Sequence, residues 1–237
     1  MIALVGAAAR ARQGGDEGAS GDSAGPAHGA RGRQVRLLDS AGTISGNRVP
    51  PSIRLEDLLT ATGGHLIRPT TITSFQGAAV DSRHVTPNCC FVALPGERTD
   101  GHAFVAEAVR AGAAVVLVER PVQPDGEAAV VQVASTLTAL QELAAWWRSR
   151  SSVRVVGITG STGKTIAKEI TADVLSRGLV TLRNEGNQNN EIGLPLTVLR
   201  LRGEHRAAVL EMGMYVGGEI RDLAAIGRPE IGIVTAV

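Results

Sequence analysis

An apolar run, a glycine-rich turn and a helix-forming segment follow one another between residues 153 and 178. VRVVGIT (153–159) is typical of a buried strand, GSTG follows it, and KTIAKEITADVLSRG (164–178) predicts a helix. A strand, a glycine turn and a helix in this order are the context of a phosphate-binding loop, usually written G-x-x-x-x-G-K-[ST]. Here Gly163, Lys164 and Thr165 complete that pattern, but Ile158 stands in the place of its first glycine.

The turn contains the groups that a phosphate requires. Gly160 and Gly163 permit the backbone to turn and let oxygens approach its N–H groups at the positive end of a helix. The Lys164 ammonium is placed for the β- and γ-phosphates, and the Thr165 hydroxyl for Mg²⁺. We predict a nucleotide site made by residues 160–166, namely Gly160, Ser161, Thr162, Gly163, Lys164, Thr165 and Ile166. The alternative is a plain strand-to-helix turn with an incidental lysine.

Composition excludes some partners and favours one fold class. The 237 residues carry a formal charge of +1, which gives no reason to expect a nucleic acid partner. Hydrophobic residues make up 43% but aromatics only 3%, so the core consists of aliphatic side chains, as in a parallel sheet covered by helices. No apolar run is long enough to insert into a membrane. The adjacent Cys89 and Cys90 indicate no disulfide framework and favour a reducing cytoplasm.

Strand and helix patterns alternate along the chain, which predicts an α/β fold with mainly parallel sheets. Residues 1–50 are rich in Gly, Ala, Arg and Ser without periodicity, and we expect them to be disordered or a non-native extension. Residues 51–150 form a first α/β unit whose last helix begins at Ser135. The pattern restarts after the polar RSRSS segment, so residues 151–237 form a second unit that contains the glycine turn.

Three stretches together resemble one enzyme family. The form T-G-S-x-G-K-T is similar to the loop of the Mur ligases, the ATP-dependent amide-forming enzymes of bacterial cell-wall synthesis. EGNQNNEIGLPLTVL (185–199) and VLEMGMYVGGEI (209–220) resemble segments of the D-alanyl-D-alanine-adding member of that family. VDSRHVTPNCCFVALPGERTDGHAFVAEAVRAGAAVVLVER (80–120) resembles its N-terminal UDP-binding domain. The resemblance covers roughly residues 53–237.

The resemblance implies a reaction, its cofactors and its substrates. ATP with Mg²⁺ would phosphorylate the terminal carboxylate of UDP-N-acetylmuramoyl-tripeptide, and the amine of D-alanyl-D-alanine would then displace phosphate. Such an enzyme is expected to be a monomer in the bacterial cytoplasm. Because phosphorylation supplies the leaving group, the protein mainly positions the reactants and neutralises charge. Lys164 is the candidate catalytic residue.

The resemblance also implies roles outside the loop. Glu211, at the end of the strand RAAVLE, matches a magnesium-binding glutamate, and an edge or capping carboxylate is the alternative. Asn189 and Asn190 are candidate substrate ligands, although asparagines in turns are usually local caps. Ser82 and Arg83 match a UDP-binding position, with a surface turn as the alternative. His102 and the pair Trp146–Trp147 are expected to serve structure rather than ligand binding.

The sequence departs from the family in three places. Ile166 stands where the family usually has a hydroxyl residue, residues 1–50 have no counterpart, and Val237 falls within the central domain. We therefore expect a fragment with little activity alone. Two other classes stay open, a generic P-loop phosphotransferase and a non-catalytic protein that binds a UDP-sugar. Product formed without D-alanyl-D-alanine would indicate the former, and UDP binding without ATP turnover the latter.

Overall fold

The computed structural model describes residues 3–6, 52–96 and 99–236, with residues 3–6 described by their backbone alone. These residues form twelve strands, six α-helices and two short 3₁₀ turns. No helix in these ranges combines the length and apolar character needed to cross a bilayer.

The described strands form two five-stranded sheets, one from residues before residue 150 and the other from residues after it together with Ala3–Gly6. The first has the order β3-β8-β7-β6-β5, in which only β3 is antiparallel to its neighbour. A separate two-stranded ribbon pairs β2 with β4. The strands of this half are β2 (Ile53–Arg54), β3 (His65–Leu66), β4 (Ser74–Phe75), β5 (Ala78–Ala79), β6 (Cys90–Val92), β7 (Val115–Val118) and β8 (Ala129–Gln132).

The second sheet has the order β1-β12-β9-β11-β10, and β9 lies at its centre, parallel to both neighbours. Because β9 leads directly into the glycine turn, the turn lies at the carboxyl edge of the sheet, where open α/β sheets bind ligands. The strands are β1 (Ala3–Gly6), β9 (Arg154–Thr159), β10 (Thr181–Arg183), β11 (Ala207–Glu211) and β12 (Ile231–Val234). The predicted mainly parallel α/β class is confirmed.

Local signals in the sequence account for several helix ends. Gly63 adopts a left-handed conformation and ends α1, and the Ser135 hydroxyl accepts a hydrogen bond from the Thr138 N–H at the start of α3, as predicted. The helices are α1 (Leu55–Thr62), α2 (Val105–Arg110), α3 (Thr136–Ser149), α4 (Lys164–Ser176), α5 (Gly193–Val198) and α6 (Glu219–Gly227).

Helix α3 joins the two halves of the chain through one core. It packs against α1 of the first half and against α5 and α6 of the second. Trp147 is 1% exposed, and its indole Nε1–H donates to the Leu201 carbonyl over 3.2 Å. Trp146 stacks on it at 6.1 Å, so the predicted packing role of the pair is confirmed.

The N-terminal segment corrects one expectation. Residues 3–6 are not disordered, since they form β1, which pairs antiparallel with β12 from Ala3 opposite Val234 to Gly6 opposite Ile231. An unpaired β12 would present a row of free N–H and C=O groups, and β1 satisfies them. Residues 1–2 and 7–50, the rest of the region predicted to be disordered or a non-native extension, lie outside the described residues.

Candidate nucleotide site

The glycine turn between β9 and α4 is shaped by two residues with positive φ. Gly163 precedes α4 at φ 81°, and Gly160 follows β9 at φ 135°. A Cβ atom at Gly160 would lie 2.2 Å from Thr235 Oγ1 and 2.9 Å from the Ala236 carbonyl oxygen. Only glycine fits this position, since both the backbone angle and the space exclude a side chain.

The segment after β12 fastens the turn from the other side. The Ser161 N–H donates to the Ala236 carbonyl over 2.6 Å, and the Thr235 hydroxyl donates to the Thr162 carbonyl over 2.6 Å. The Ser161 N–H is therefore engaged within the protein rather than directed at a ligand. Gly160 and Thr162, both predicted to bind the nucleotide, do not line the cleft described below; they shape and anchor the loop.

Lys164 begins α4 and folds back over the turn. Its Nζ donates to the Gly160 carbonyl over 2.7 Å and to the Ser161 carbonyl over 3.2 Å. The ammonium thus rests on the loop backbone, beside the first turn of the helix whose positive end faces the same space. This arrangement concentrates positive charge where a phosphate would sit.

A cleft of about 560 Å³ opens over the loop and brings together most of the predicted site. Two elements that are distant in sequence meet there, the start of α4 and the carboxyl end of β11, with the asparagine-rich segment between them. The lining residues are Ser161, Gly163, Lys164, Thr165, Ile166, Asn187, Asn189, Asn190, Glu211 and Tyr215. Ile166 is 68% exposed, so an apolar side chain lies at the rim of a polar site.

Glu211 ends β11 and is 3% exposed. Its Oε1 accepts a hydrogen bond from Asn189 Nδ2 at 2.9 Å, whereas Oε2 has no hydrogen-bond partner among the described residues. A buried carboxylate oxygen without a donor is costly unless another cation or donor reaches it. The Lys168 ammonium lies 3.8 Å from Oε2, and the role of Glu211 as a cation ligand stays a prediction.

The residues around Glu211 are suited to a hard divalent cation. Carboxylate and hydroxyl oxygens are the ligands that Mg²⁺ takes in nucleotide sites, with water and phosphate completing its shell. Glu211 supplies the unpartnered oxygen, and the predicted second ligand, Thr165, lines the same cleft. Within the described ranges no group of three or more His, Cys, Asp or Glu side chains is placed to hold a metal. One carboxylate oxygen and one hydroxyl fit a cation whose remaining ligands are water and nucleotide phosphate.

The two predicted asparagines differ in their contacts. Asn189 reaches Glu211, as given above. Asn190 Oδ1 accepts from the backbone N–H groups of Ile192 (3.3 Å) and Gly193 (2.9 Å), at the start of α5. Asn190 therefore makes the local capping contact that asparagines in turns commonly make, while its side chain also borders the cleft. Its role as a substrate ligand stays a prediction.

Two buried polar residues of the site were not anticipated from the sequence. Asn184 follows β10, and its amide joins Gln188 and both backbone groups of Glu211 by hydrogen bonds of 2.8–2.9 Å. Lys168 lies one turn after Lys164 on α4 and is 1% exposed. An asparagine next to a loop and a lysine in a polar helix carry no sequence signal of burial. Their position depends on three elements that meet only in the folded protein.

Ser82 and Arg83 lie apart from this cleft. They follow β5 in a 3₁₀ turn, where Ser82 is buried and Arg83 exposed. Arg83 forms an ion pair with Asp81 at 2.5 Å. The hydrogen bonds that the Arg83 side chain and backbone N–H donate to Asp81 hold the pKa of that carboxyl well below its usual range. The pair leaves the guanidinium at the surface, and the role of Ser82 and Arg83 toward UDP stays a prediction.

His102 is buried in a second 3₁₀ turn, where its Nδ1 contacts Asp100 at 2.7 Å, as expected of a structural residue.

The fold and loop define an α/β protein with a phosphate-loop type of strand, turn and helix. Two known families match this chain. The Mur ligase family, catalytic domain, matches residues 74–148, and the Mur ligase middle domain matches residues 158–237. The first range contains β4 to β8, and the second contains the end of β9, the glycine turn and β10 to β12.

Curated and solved relatives agree with these matches. The chain is 43% identical over 183 residues to UDP-N-acetylmuramoyl-tripeptide--D-alanyl-D-alanine ligase of Escherichia coli, covering 77% of this chain and 40% of the relative. A crystal structure of MurF from Acinetobacter baumannii has a TM-score of 0.68 at 39% identity over 76% of this chain and 40% of that one. MurF ligase from Thermotoga maritima in complex with ADP has a TM-score of 0.58 at 36% identity over 65% of this chain and 36% of that one.

The chain belongs to the Mur ligase family. It spans about 40% of the length of the curated Escherichia coli relative that it matches.

Proposed function

We propose that this chain provides the nucleotide site and the UDP-substrate domain of an ATP-dependent ligase that joins D-alanyl-D-alanine to UDP-N-acetylmuramoyl-tripeptide. The observation that carries the proposal is the cleft in which Lys164 and Thr165 of the loop face Glu211, whose Oε2 is buried without a hydrogen-bond partner among the described residues. The identity to ligases of that name supports the choice of substrates.

The proposed reaction has two steps that this site would serve. The terminal carboxylate of the tripeptide takes the γ-phosphoryl group of ATP, giving an acyl phosphate and ADP. The amine of D-alanyl-D-alanine then attacks the acyl carbon, and an amide forms as phosphate leaves and the amine loses a proton. In both steps negative charge develops on phosphoryl oxygens, so groups that neutralise it in place lower the barrier.

Several of the predicted site residues have a part in that scheme. Lys164, which rests on the Gly160 and Ser161 carbonyls in this structure, would turn its ammonium to the β- and γ-phosphates. Thr165 and Glu211 would hold Mg²⁺, which when bound supplies further charge neutralisation. Asn189 keeps the Glu211 carboxylate oriented through its hydrogen bond to Oε1. Ser82 and Arg83 would bind the UDP part of the substrate at the first sheet.

The unbridged, buried Cys89 and Cys90 support a reducing compartment, and we extend the proposal to the bacterial cytoplasm. The monomeric state stays a prediction.

Substrate binding tests the assignment of the first domain. Calorimetric titration of the 237-residue chain with UDP-N-acetylmuramoyl-tripeptide is expected to give saturable binding that Lys164→Ala leaves unchanged and Arg83→Ala weakens. Arg110→Ala, which removes another arginine of the same domain, is the control. No binding by the parent chain would contradict the proposed substrate.

The reaction itself is tested in a chimera. Residues 53–237 replace the matching segment of the Escherichia coli relative, and phosphate release is followed. We expect release that requires both the UDP-tripeptide and D-alanyl-D-alanine. Continued turnover of ATP without D-alanyl-D-alanine, beyond the one acyl phosphate that each enzyme molecule can form, would indicate a generic phosphotransferase. UDP binding without ATP turnover would indicate a non-catalytic binding protein.

A further inference from the structure

A buried ammonium lies behind the candidate cation site. Lys168 is on α4, one turn after Lys164, and its side chain is 1% exposed. Its Nζ donates to the Asn184 carbonyl over 3.0 Å and lies 3.0 Å from Glu169 Oε1. It also lies 3.8 Å from Glu211 Oε2. Removing a lysine head group from water is costly, so a residue placed this way needs partners that recover the loss.

The contact with Glu211 is electrostatic rather than a hydrogen bond. At 3.8 Å the ammonium is too far from Oε2 to donate to it, and Oε2 has no other donor among the described residues. The other oxygen of that carboxylate already accepts from Asn189. Lys168 therefore balances the Glu211 charge and leaves Oε2 free to coordinate a ligand.

We propose that Lys168 is the resident counterion of Glu211 and makes divalent-cation binding at Glu211 depend on the phosphates of a nucleotide. The inference rests on the proposed function in one respect, that Glu211 is the cation ligand. Lys168 acts through Glu211 and touches neither substrate nor nucleotide, so it is a positioning residue.

The cation is expected to need the nucleotide because the charges around the buried Glu211 carboxylate must balance. A divalent cation on Oε2 comes within a few ångströms of the Lys168 ammonium, and like charges at that range repel strongly where water is scarce. Without nucleotide, the ammonium and the incoming cation share the buried Glu211 charge and the Glu169 charge, and Glu169 is half-exposed and also paired with Arg183. Nucleotide phosphates at the loop bring the missing negative charge. The cation is then expected to bind together with the nucleotide and only weakly alone.

This inference predicts that replacing Lys168 tightens Mn²⁺ binding, whereas structural damage would weaken it. Mn²⁺ binding to the 237-residue chain without nucleotide is measured from the electron paramagnetic resonance signal of free Mn²⁺. Lys168→Met is expected to tighten Mn²⁺ binding at least about threefold. Lys168→Arg, which keeps the charge, is expected to match the parent. Arg183→Met is the matched control, because Arg183 also pairs with Glu169 but is 41% exposed and, among the described residues, forms no ion pair with Glu211. Equal or weaker Mn²⁺ binding by a folded Lys168→Met chain overturns the inference.

A second comparison does not depend on the folding of a Lys168 variant. If the ammonium suppresses cation binding, the parent chain and Glu211→Gln bind Mn²⁺ equally weakly when no nucleotide is present. A parent that binds Mn²⁺ several-fold tighter than Glu211→Gln overturns the inference. The proposed function fails separately: if Glu211→Gln leaves the affinity for ADP with Mg²⁺ unchanged, the cation assignment itself is wrong.

Discussion

Asn189 donates a hydrogen bond from Nδ2 to Glu211 Oε1 over 2.9 Å. This bond ties the asparagine-rich segment to the last residue of β11, 22 positions further along the chain. The bond leaves Oε2 as the buried oxygen without a donor among the described residues. The orientation of the candidate cation ligand is thus set by a neutral side chain.

Gly160→Ala tests the shape of the loop. The new Cβ would meet Thr235 Oγ1 at 2.2 Å and the residue would keep φ 135°, so we expect a loss of stability of about 1–3 kcal/mol and weaker ADP binding. Urea unfolding and calorimetry measure the two effects. Gly178→Ala is the control, because nothing lies within 4 Å of a Cβ there. It is expected to be neutral or to stabilise by up to about 1 kcal/mol. Equal effects of both substitutions would contradict this account of the loop.

Asn184→Ala tests the hydrogen-bond junction behind the site. The substitution leaves the buried N–H and carbonyl of Glu211, and the Gln188 carbonyl, without their partner, so we expect a loss of about 1–3 kcal/mol in the free energy of unfolding. Cation-dependent ADP binding should weaken as well. The exposed Asn187→Ala is the control and should change stability little. A stable Asn184→Ala chain with unchanged ADP binding would show that the junction does not hold Glu211 in place.

His205 gives the fold a pH dependence of known sign. Burial lowers the pKa of His205 from its ordinary 6.5, and its Nδ1 accepts a hydrogen bond from the Arg202 N–H at 2.9 Å. The unfolded chain then takes up the proton first as pH falls below the ordinary value, and the native state loses stability there. We expect the free energy of unfolding to fall less between pH 7 and pH 5 in His205→Gln than in the parent. His84→Gln, at an 80% exposed side chain, serves as the control. Parallel pH profiles for the parent and His205→Gln would refute this assignment.

The sequence predicts those parts of the fold that are determined by residues close together in the chain. Buried aliphatic strands such as β9 and β11, the Ser135 cap and the Gly63 stop all depend on neighbouring residues. Helix α4 shows the limit of such patterns. Its apolar residues Ile166, Ile170 and Val174 are spaced as a buried face, yet they are 68%, 60% and 63% exposed, while Lys168 is buried.

Helix α4 begins directly after Gly163, and its rotation on the sheet directs Lys168 at Asn184 and Glu211. These partners come from β10 and β11, which lie at a distance in sequence. Strand β1 escaped prediction for the same reason, because its partner is β12, more than 220 residues away. The loop and Glu211 were foreseeable from motifs, whereas the buried ion pair and the loop anchors were not.

The affinity of the 237-residue chain for ADP with Mg²⁺, measured by calorimetry in the parent and in Lys164→Met, tests the central claim most directly. Lys164 is the one loop residue whose ammonium rests on the Gly160 and Ser161 carbonyls. We predict at least about tenfold weaker binding in Lys164→Met, equal to 1.4 kcal/mol, and no change in Arg177→Met, which removes an exposed charge just beyond the end of α4. Unchanged affinity in Lys164→Met would contradict the assignment of this loop as a nucleotide site.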